Sequence, residues 1–209
     1  MAMKTDHPSS LGLIILSMLV EAPMHAYRMQ KLIRDRGKDK VVNVRQRTSI
    51  HQTLERLRRM GLIQVQNTLK SDDGRPDRTV YEITPDGRSA ANDWLGRMLT
   101  TISPEFPDFP AAVSVLPMIT QAEAEAQLAR RADVVRQALE DVEADMRRAG
   151  ALPRIFLLED EYRVAMLSAE RRWLEGVLAD LRGGALAWDE AKLRAMAAQY
   201  AMPDPDAGE

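Results

Sequence analysis

Apolar side chains occupy nearly every position of LGLIILSMLV, Leu11 to Val20. A helix greasy on all sides belongs in the centre of its domain, with Ser9 and Ser10 as available caps and Pro23 as its stop. A narrower pattern follows. From about His25 to Arg36 the spacing predicts an amphipathic helix with Tyr27, Leu32 and Ile33 inward, Arg28, Lys31, Arg34 and Arg36 outward, and Gly37 at its end. After the polar connector GKDKVVNVRQ comes RTSIHQTLERLRRMGLI, a third helix with a single stripe. Ile50, Leu54 and Leu57 stand at i, i+4 and i+7, while Arg47, Arg56, Arg58 and Arg59 occupy the other faces with His51 and Gln52 between them.

The period then changes. LIQVQNTL and RTVYEIT have strand character, and KSDDGRPD between them is rich in turn residues, so the pair predicts an antiparallel hairpin. Thr84-Pro85 opens another helix, Thr as N-cap and Pro at the first helical position. It carries Ala91, Trp94, Leu95 and Met98 on one side. The order helix, helix, helix, hairpin, helix is that of a winged helix-turn-helix, in which the third helix enters the DNA major groove and the hairpin lies beside it on the backbone.

A domain boundary is expected at SPEFPDFP, giving domains 1–103 and 104–209. Its three prolines in eight residues argue against regular helix, and its two phenylalanines suggest a packed linker. Pro117 interrupts AAVSVLPMI, and Thr120 to Glu123 form a capping box for a long helix ending at Gly150. Leu128, Ala132, Val135, Leu139, Val142 and Met146 follow a heptad seam along it. A second long helix is expected from about Pro153 to Arg182, with Ile155, Leu158, Tyr162, Ala165, Ala169, Trp173 and Val177 as its stripe. A shorter helix is expected at Trp188 to Tyr200, then a frayed tail. Two long helices and a short one are too few to close a large core. This antiparallel, coiled-coil-like half is therefore expected to finish its core against a second copy. The fold class is mostly α with a small β-hairpin wing.

Charge sharpens the division. The net charge of −2 conceals 17 Lys+Arg against 11 Asp+Glu in residues 1–100, and 12 against 20 in residues 101–209. A basic half joined to an acidic half suits one part facing a polyanion and the other kept away from it. The absence of cysteine excludes disulfides, thiolate metal sites and cysteine nucleophiles, and fits a reducing cytoplasm. The three histidines are too scattered for a metal motif. Leu11–Val20 is too short to span a membrane, and MAMKTDHPSS ahead of it carries both charge signs, so a buried first helix is expected rather than a secretion signal. There is no Gly-rich phosphate loop, no His-x-x-x-His and no local Ser/His/Asp signature, which argues against an enzyme; no cofactor is expected.

Candidate DNA contacts cluster near the start of the third helix: Arg45, Arg47, Thr48, Ser49, His51 and Gln52. Glutamine can fork onto adenine and arginine onto guanine. The competing reading is a solvated charged face, and the hairpin that follows tips the balance to DNA. On the wing, Lys70, Arg75 and Arg78 flank Asp72-Asp73, so backbone contact is expected there rather than base reading. Tyr27 stands open between a phosphate contact and a core tyrosine with its hydroxyl at the surface. Trp94 and Met98 are either packing residues or a face for a small planar aromatic ligand. A winged helix that binds another protein is the rival class, and the basic balance of the first half weighs against it.

LIILSMLVEAPMHAYRMQKLI, SIHQTLERLRRMGLIQ and GRPDRTVYEITPDGR together resemble the PadR family of bacterial transcriptional regulators. The resemblance covers about residues 11–98 well and the later helices loosely. Its strongest parts are Ala26-Tyr27, Gly61-Leu62-Ile63, and Gly74-Arg75-Pro76 leading to Tyr81-x-x-Thr84-x-x-Gly87. It implies a winged-helix homodimer on an operator, a helical C-terminal dimerisation domain and usually repression; a subset are virulence-gene activators with a longer antiparallel helical half. In some members an aromatic residue on the helix bearing Trp94 lines a flat ligand pocket at the dimer interface. This chain has Ala26 where the family usually has glycine, and Ser49, Ile50, His51 and Gln52 where it typically reads Thr-Leu-Tyr-Pro.

Overall fold

A computed structural model describes residues 8–42, 47–69, 78–102, 106–189 and 193–195. The chain divides into two compact units, Met1–Pro104 and Glu105–Glu209.

In the first unit, α1 (Ser10–Glu21) is capped by Ser9, whose hydroxyl accepts from Gly12 N at 3.1 Å. Ile15, Leu16, Met18 and Leu19 are buried, as an all-round apolar helix requires. Around it pack α2 (Ala26–Asp35), α3 (Arg47–Arg59) and α4 (Pro85–Thr100), joined in one core by Met29, Ile33, Leu54, Leu57 and Trp94. The end of α3 is a left-handed glycine stop. Gly61 has φ 73, its N–H donates to Arg58 O at 2.9 Å, and Leu62 N donates to Leu57 O at 3.0 Å.

The hairpin strands are β2 (Ile63–Leu69) and β3 (Arg78–Ile83), with an irregularity between Val65 and Asn67. A third strand, β1 (Met24–His25), pairs antiparallel with β3, Met24 opposite Tyr81 and His25 opposite Val80, so the sheet order is β1-β3-β2. Two residues carry no readable alternation; only the tertiary pairing makes them a strand. The placement of Tyr27 inward is also overturned. It is 66% exposed, and Met29 and Ile33 hold α2 to the core instead.

In the second unit, α5 (Asp108–Ser114) begins inside the proline-rich stretch expected to exclude helix. Pro107 is its N-cap and Pro110 sits in its first turn, where a backbone N–H would have no intrahelical partner anyway. A 3-10 turn at Leu116–Met118 accommodates Pro117. The capping box of α6 (Gln121–Ala149) is formed: Glu123 N donates to Thr120 Oγ1 at 3.3 Å and Thr120 N to Glu123 Oε2 at 2.9 Å. The Thr120 hydroxyl and N–H hold the Glu123 carboxyl below its usual pKa.

Leu128, Val135, Leu139 and Val142 form the buried face of α6, on the seam read from the sequence. For α7 (Leu158–Arg182) the expected stripe is wrong except at Val177, which is partly buried against the core. Leu174, Leu178 and Leu181 are its buried residues, and Leu128 and Val135 share their core. Ile155, Leu158, Tyr162, Met166 and Trp173 are exposed. The helix has two apolar faces, and spacing within one helix does not say which one its neighbour covers. Ion pairs fix the antiparallel register: Arg131 Nε to Glu170 at 2.6 Å and Arg182 Nε to Glu125 at 2.7 Å. Phe109 of α5 lies under the Arg131 guanidinium at 3.5 Å and edge-on to Trp173 at 5.9 Å. Arg154–Phe156 make a 3-10 turn, so α7 starts at Leu158 and not at Pro153. Residues 193–195 are helical, and the remainder of the expected terminal helix beyond Asp189 lies outside the described residues.

Candidate nucleic-acid interface

Ile50, Leu54 and Leu57 are buried, so the apolar stripe of α3 faces the core and the opposite side is left to water. His51 and Gln52 are both exposed on that side; Ser49 is half-buried and its carbonyl accepts from Thr53 Oγ1 at 2.7 Å. Arg47 and Thr48 form the first residues of α3, their side chains outside the described set. Arg45, Lys70 and Arg75 lie outside the described residues, and Arg78 is placed only as the first residue of β3.

The cations of this unit are not equivalent. Arg28, Lys31, Arg34 and Arg59 are exposed. Arg58 pairs with Glu55 at 3.1 Å, a surface contact of small energy. Arg36 forks onto Glu21 at 2.6 and 2.7 Å, which lowers the Glu21 carboxyl and raises the guanidinium. Arg56 is half-buried and donates to the hydroxyl of Ser9, the cap of α1. Sequence spacing shows a charged residue off the stripe but not a partner 47 positions away.

His25 has a structural role. Its Nδ1 accepts from Arg28 N at 3.1 Å, capping α2, and its ring stacks on exposed Tyr27 at 6.3 Å between centroids. The signal was a non-helical residue directly before an amphipathic run, but imidazole is a less usual cap than Ser or Asp. We expect His25→Ala to cost about 1 kcal/mol in urea unfolding and His25→Asn to restore most of it. An alanine variant as stable as wild type would mean that β1 pairing alone holds this turn.

Trp94 is 4% exposed and packs against α1, its ring edge 3.0 Å from where a Cβ on Gly12 would stand. Met98, one turn later, is exposed, and with Leu95 and Leu99 forms an apolar outer edge of α4. Among the described residues no cluster of His, Asp and Glu is arranged to hold a metal ion. Among them, too, no helix is long and apolar enough to cross a membrane.

Three helices followed by an antiparallel hairpin and a fourth helix, the third presenting a polar face, make a winged helix-turn-helix. Residues 15–93 match the transcriptional regulator PadR-like family. Among solved structures, it is similar to Bacillus subtilis PadR in complex with operator DNA (17% identity, 83% of this chain and 99% of that one, TM-score 0.68). The same protein in complex with p-coumaric acid gives 16% identity, 82% and 98% coverage, and a TM-score of 0.68. The Vibrio cholerae virulence activator AphA gives 20% identity, 83% and 99% coverage, and a TM-score of 0.64. At such identities these likenesses establish the fold. The chain has no match among curated proteins.

Proposed function

We propose that this protein is a homodimeric, sequence-specific DNA-binding transcriptional regulator that acts in the cytoplasm and has no catalytic role. The observation that carries the reading is α3 itself: its apolar stripe is buried while His51 and Gln52 face outward near its N-terminal end, with the wing following in sequence. Base edges are read from that end of such a helix. Arg45, Arg47, Thr48, Ser49, His51 and Gln52 are the proposed reading set, with Tyr27, Lys70, Arg75 and Arg78 on phosphates. The exposure of Tyr27 supports its phosphate role. The repressor reading follows the family's habit. Activation is the second reading, supported by the likeness to a protein named as a virulence activator.

Selection from random duplexes supplies an operator, and anisotropy measures affinity. Substituting Arg47 or Gln52 by Ala should cost ~1–3 kcal/mol on that site and relax its sequence requirement at one position. Arg75→Ala should weaken all duplexes about equally. Unchanged operator affinity in both helix variants would refute the assigned reading residues, and binding insensitive to salt would refute the DNA interface altogether.

A small planar aromatic effector is the remaining part of the proposal, supported by the p-coumaric acid complex of Bacillus subtilis PadR. The Trp94 ring is enclosed here, so the accessible part of that face is Met98 with Leu95 and Leu99. The dimer surface is proposed on the second unit, where α7 leaves a large apolar face uncovered.

A further inference from the structure

We propose that Arg56 is a positioning residue for DNA reading: its hydrogen bond to Ser9 latches the recognition helix to the start of α1 and fixes the roll of α3. The inference rests on the DNA-binding function proposed above. Arg56 stands four residues after Gln52, on nearly the same side of the helix and one turn further along. Its guanidinium does not reach outward with Gln52. It donates through Nη2 to Ser9 Oγ, the same oxygen that accepts Gly12 N at 3.1 Å and caps α1.

The packing there is close. A Cβ on Gly12 would lie 2.8 Å from Ser9 Oγ, 3.0 Å from Trp94 Cζ3 and 3.3 Å from Arg56 Nη2. Glycine at this position is what lets the guanidinium, the capping hydroxyl and the indole share one corner. Attraction between charges does not explain the contact, because the N-terminal end of α1 is itself the positive end of its dipole. No carboxylate accepts from Arg56 among the described residues.

The stripe Ile50, Leu54 and Leu57 holds α3 from one side, and apolar burial is non-directional. A hydrogen bond on the flank is directional and resists rotation. Side-chain tips lie about 5–6 Å from a helix axis, so a roll of about 10° moves them by about 1 Å. That displacement takes a base contact outside hydrogen-bonding distance.

The test uses the full chain, a selected operator and a scrambled duplex, each at several salt concentrations. The variants are Arg56→Met, Arg56→Lys, Ser9→Gly and the double Ser9→Gly/Arg56→Met. Glycine removes the acceptor at little cost in capping. We expect Arg56→Met and Ser9→Gly each to lower the operator-to-scramble ratio by roughly tenfold, the scale of one base contact. The double variant should be no worse than either single, Arg56→Lys should retain most of the ratio, and the slope of log affinity against log salt should stay at its wild-type value. A slope flattened by about one unit in Arg56→Met, with Ser9→Gly behaving as wild type, would make Arg56 a phosphate contact and overturn the latch. Wild-type ratios in Ser9→Gly also overturn it, and that variant decides the matter should Arg56→Met fail to fold. Failure of the DNA reading would show in the wild-type protein, as no operator preference at any salt.

Discussion

Replacing Gly87 by alanine is expected to destabilise the winged domain by about 3–5 kcal/mol. A Cβ there would stand 2.0 Å from the carbonyl oxygen of Leu62, 2.9 Å from its carbon and 2.8 Å from Ile83 Cγ1. Two of these three atoms are backbone and cannot rotate aside. Gly87 lies within α4 and its φ is not positive. The constraint is therefore close approach, and the helix propensity that alanine adds, ~1 kcal/mol, works in the opposite direction. To relieve the overlap, α4 must move off the turn that joins α3 to β2. That turn is tied by Thr84 N to Leu62 O at 3.1 Å, Thr84 Oγ1 to Gly61 O at 2.7 Å and Gly87 N to Thr84 Oγ1 at 3.0 Å. Overpacking costs typically 1–3 kcal/mol, and each hydrogen bond lost adds ~1 kcal/mol. The total, on the order of 3–5 kcal/mol, is a large share of what a domain has to lose. Gly96 on the same helix is the control. Open space surrounds its Cβ position, so Gly96→Ala should be neutral or stabilise by up to ~1 kcal/mol. Urea unfolding of both variants checks the pair, and a Gly87→Ala transition within 1 kcal/mol of wild type would show that the turn yields.

Gly87, with Thr84 three residues before it, was among the residues carrying the family resemblance, and the structure supplies the reason for its residue type. The features legible in the sequence share this local character. Ser9, Thr84 and Thr120 each cap the helix that follows them, because a capping hydroxyl reaches only two or three residues ahead. The buried face of α6 was readable because one continuous seam admits one reading. What stayed hidden depends on residues far along the chain. β1 exists because Tyr81 and Val80 lie beside Met24 and His25. Arg56 is half-buried because Ser9 is there to accept it. Tyr27 was expected inward with Leu32 and Ile33, yet Met29 and Ile33 hold α2 to the core and leave the ring against His25 at the surface. In α5 a proline count stood in for a position: Pro110 breaks a helix interior but not a first turn.

The double substitution Tyr162→Glu/Met166→Glu is expected to dissociate the protein into monomers and remove most operator binding. Both residues belong to an exposed apolar face of α7 together with Leu158, which Ile155 of the 3-10 turn precedes in sequence; Tyr162 and Ile155 are each 67% exposed. Fully burying one large apolar side chain stabilises by ~1.5–3 kcal/mol, so a group of such residues is an unusual surface to leave in water. Neither substitution touches Leu174, Leu178 or Leu181, which hold α7 in its core, so the helical hairpin should persist. In a two-fold interface each change occurs twice, which brings four carboxylates into one apolar contact. Desolvating them without partners is far more costly than the contact can offset. A dimer grips two half-sites at once, and losing the second grip lowers affinity by about 10²–10⁴-fold. Sedimentation should show monomers at concentrations where wild type is a dimer, with circular dichroism unchanged and anisotropy reporting at least a 10²-fold loss on the operator. A double variant that sediments as a dimer would move the interface elsewhere, with the exposed edge of Leu95, Met98 and Leu99 on α4 the next surface to charge.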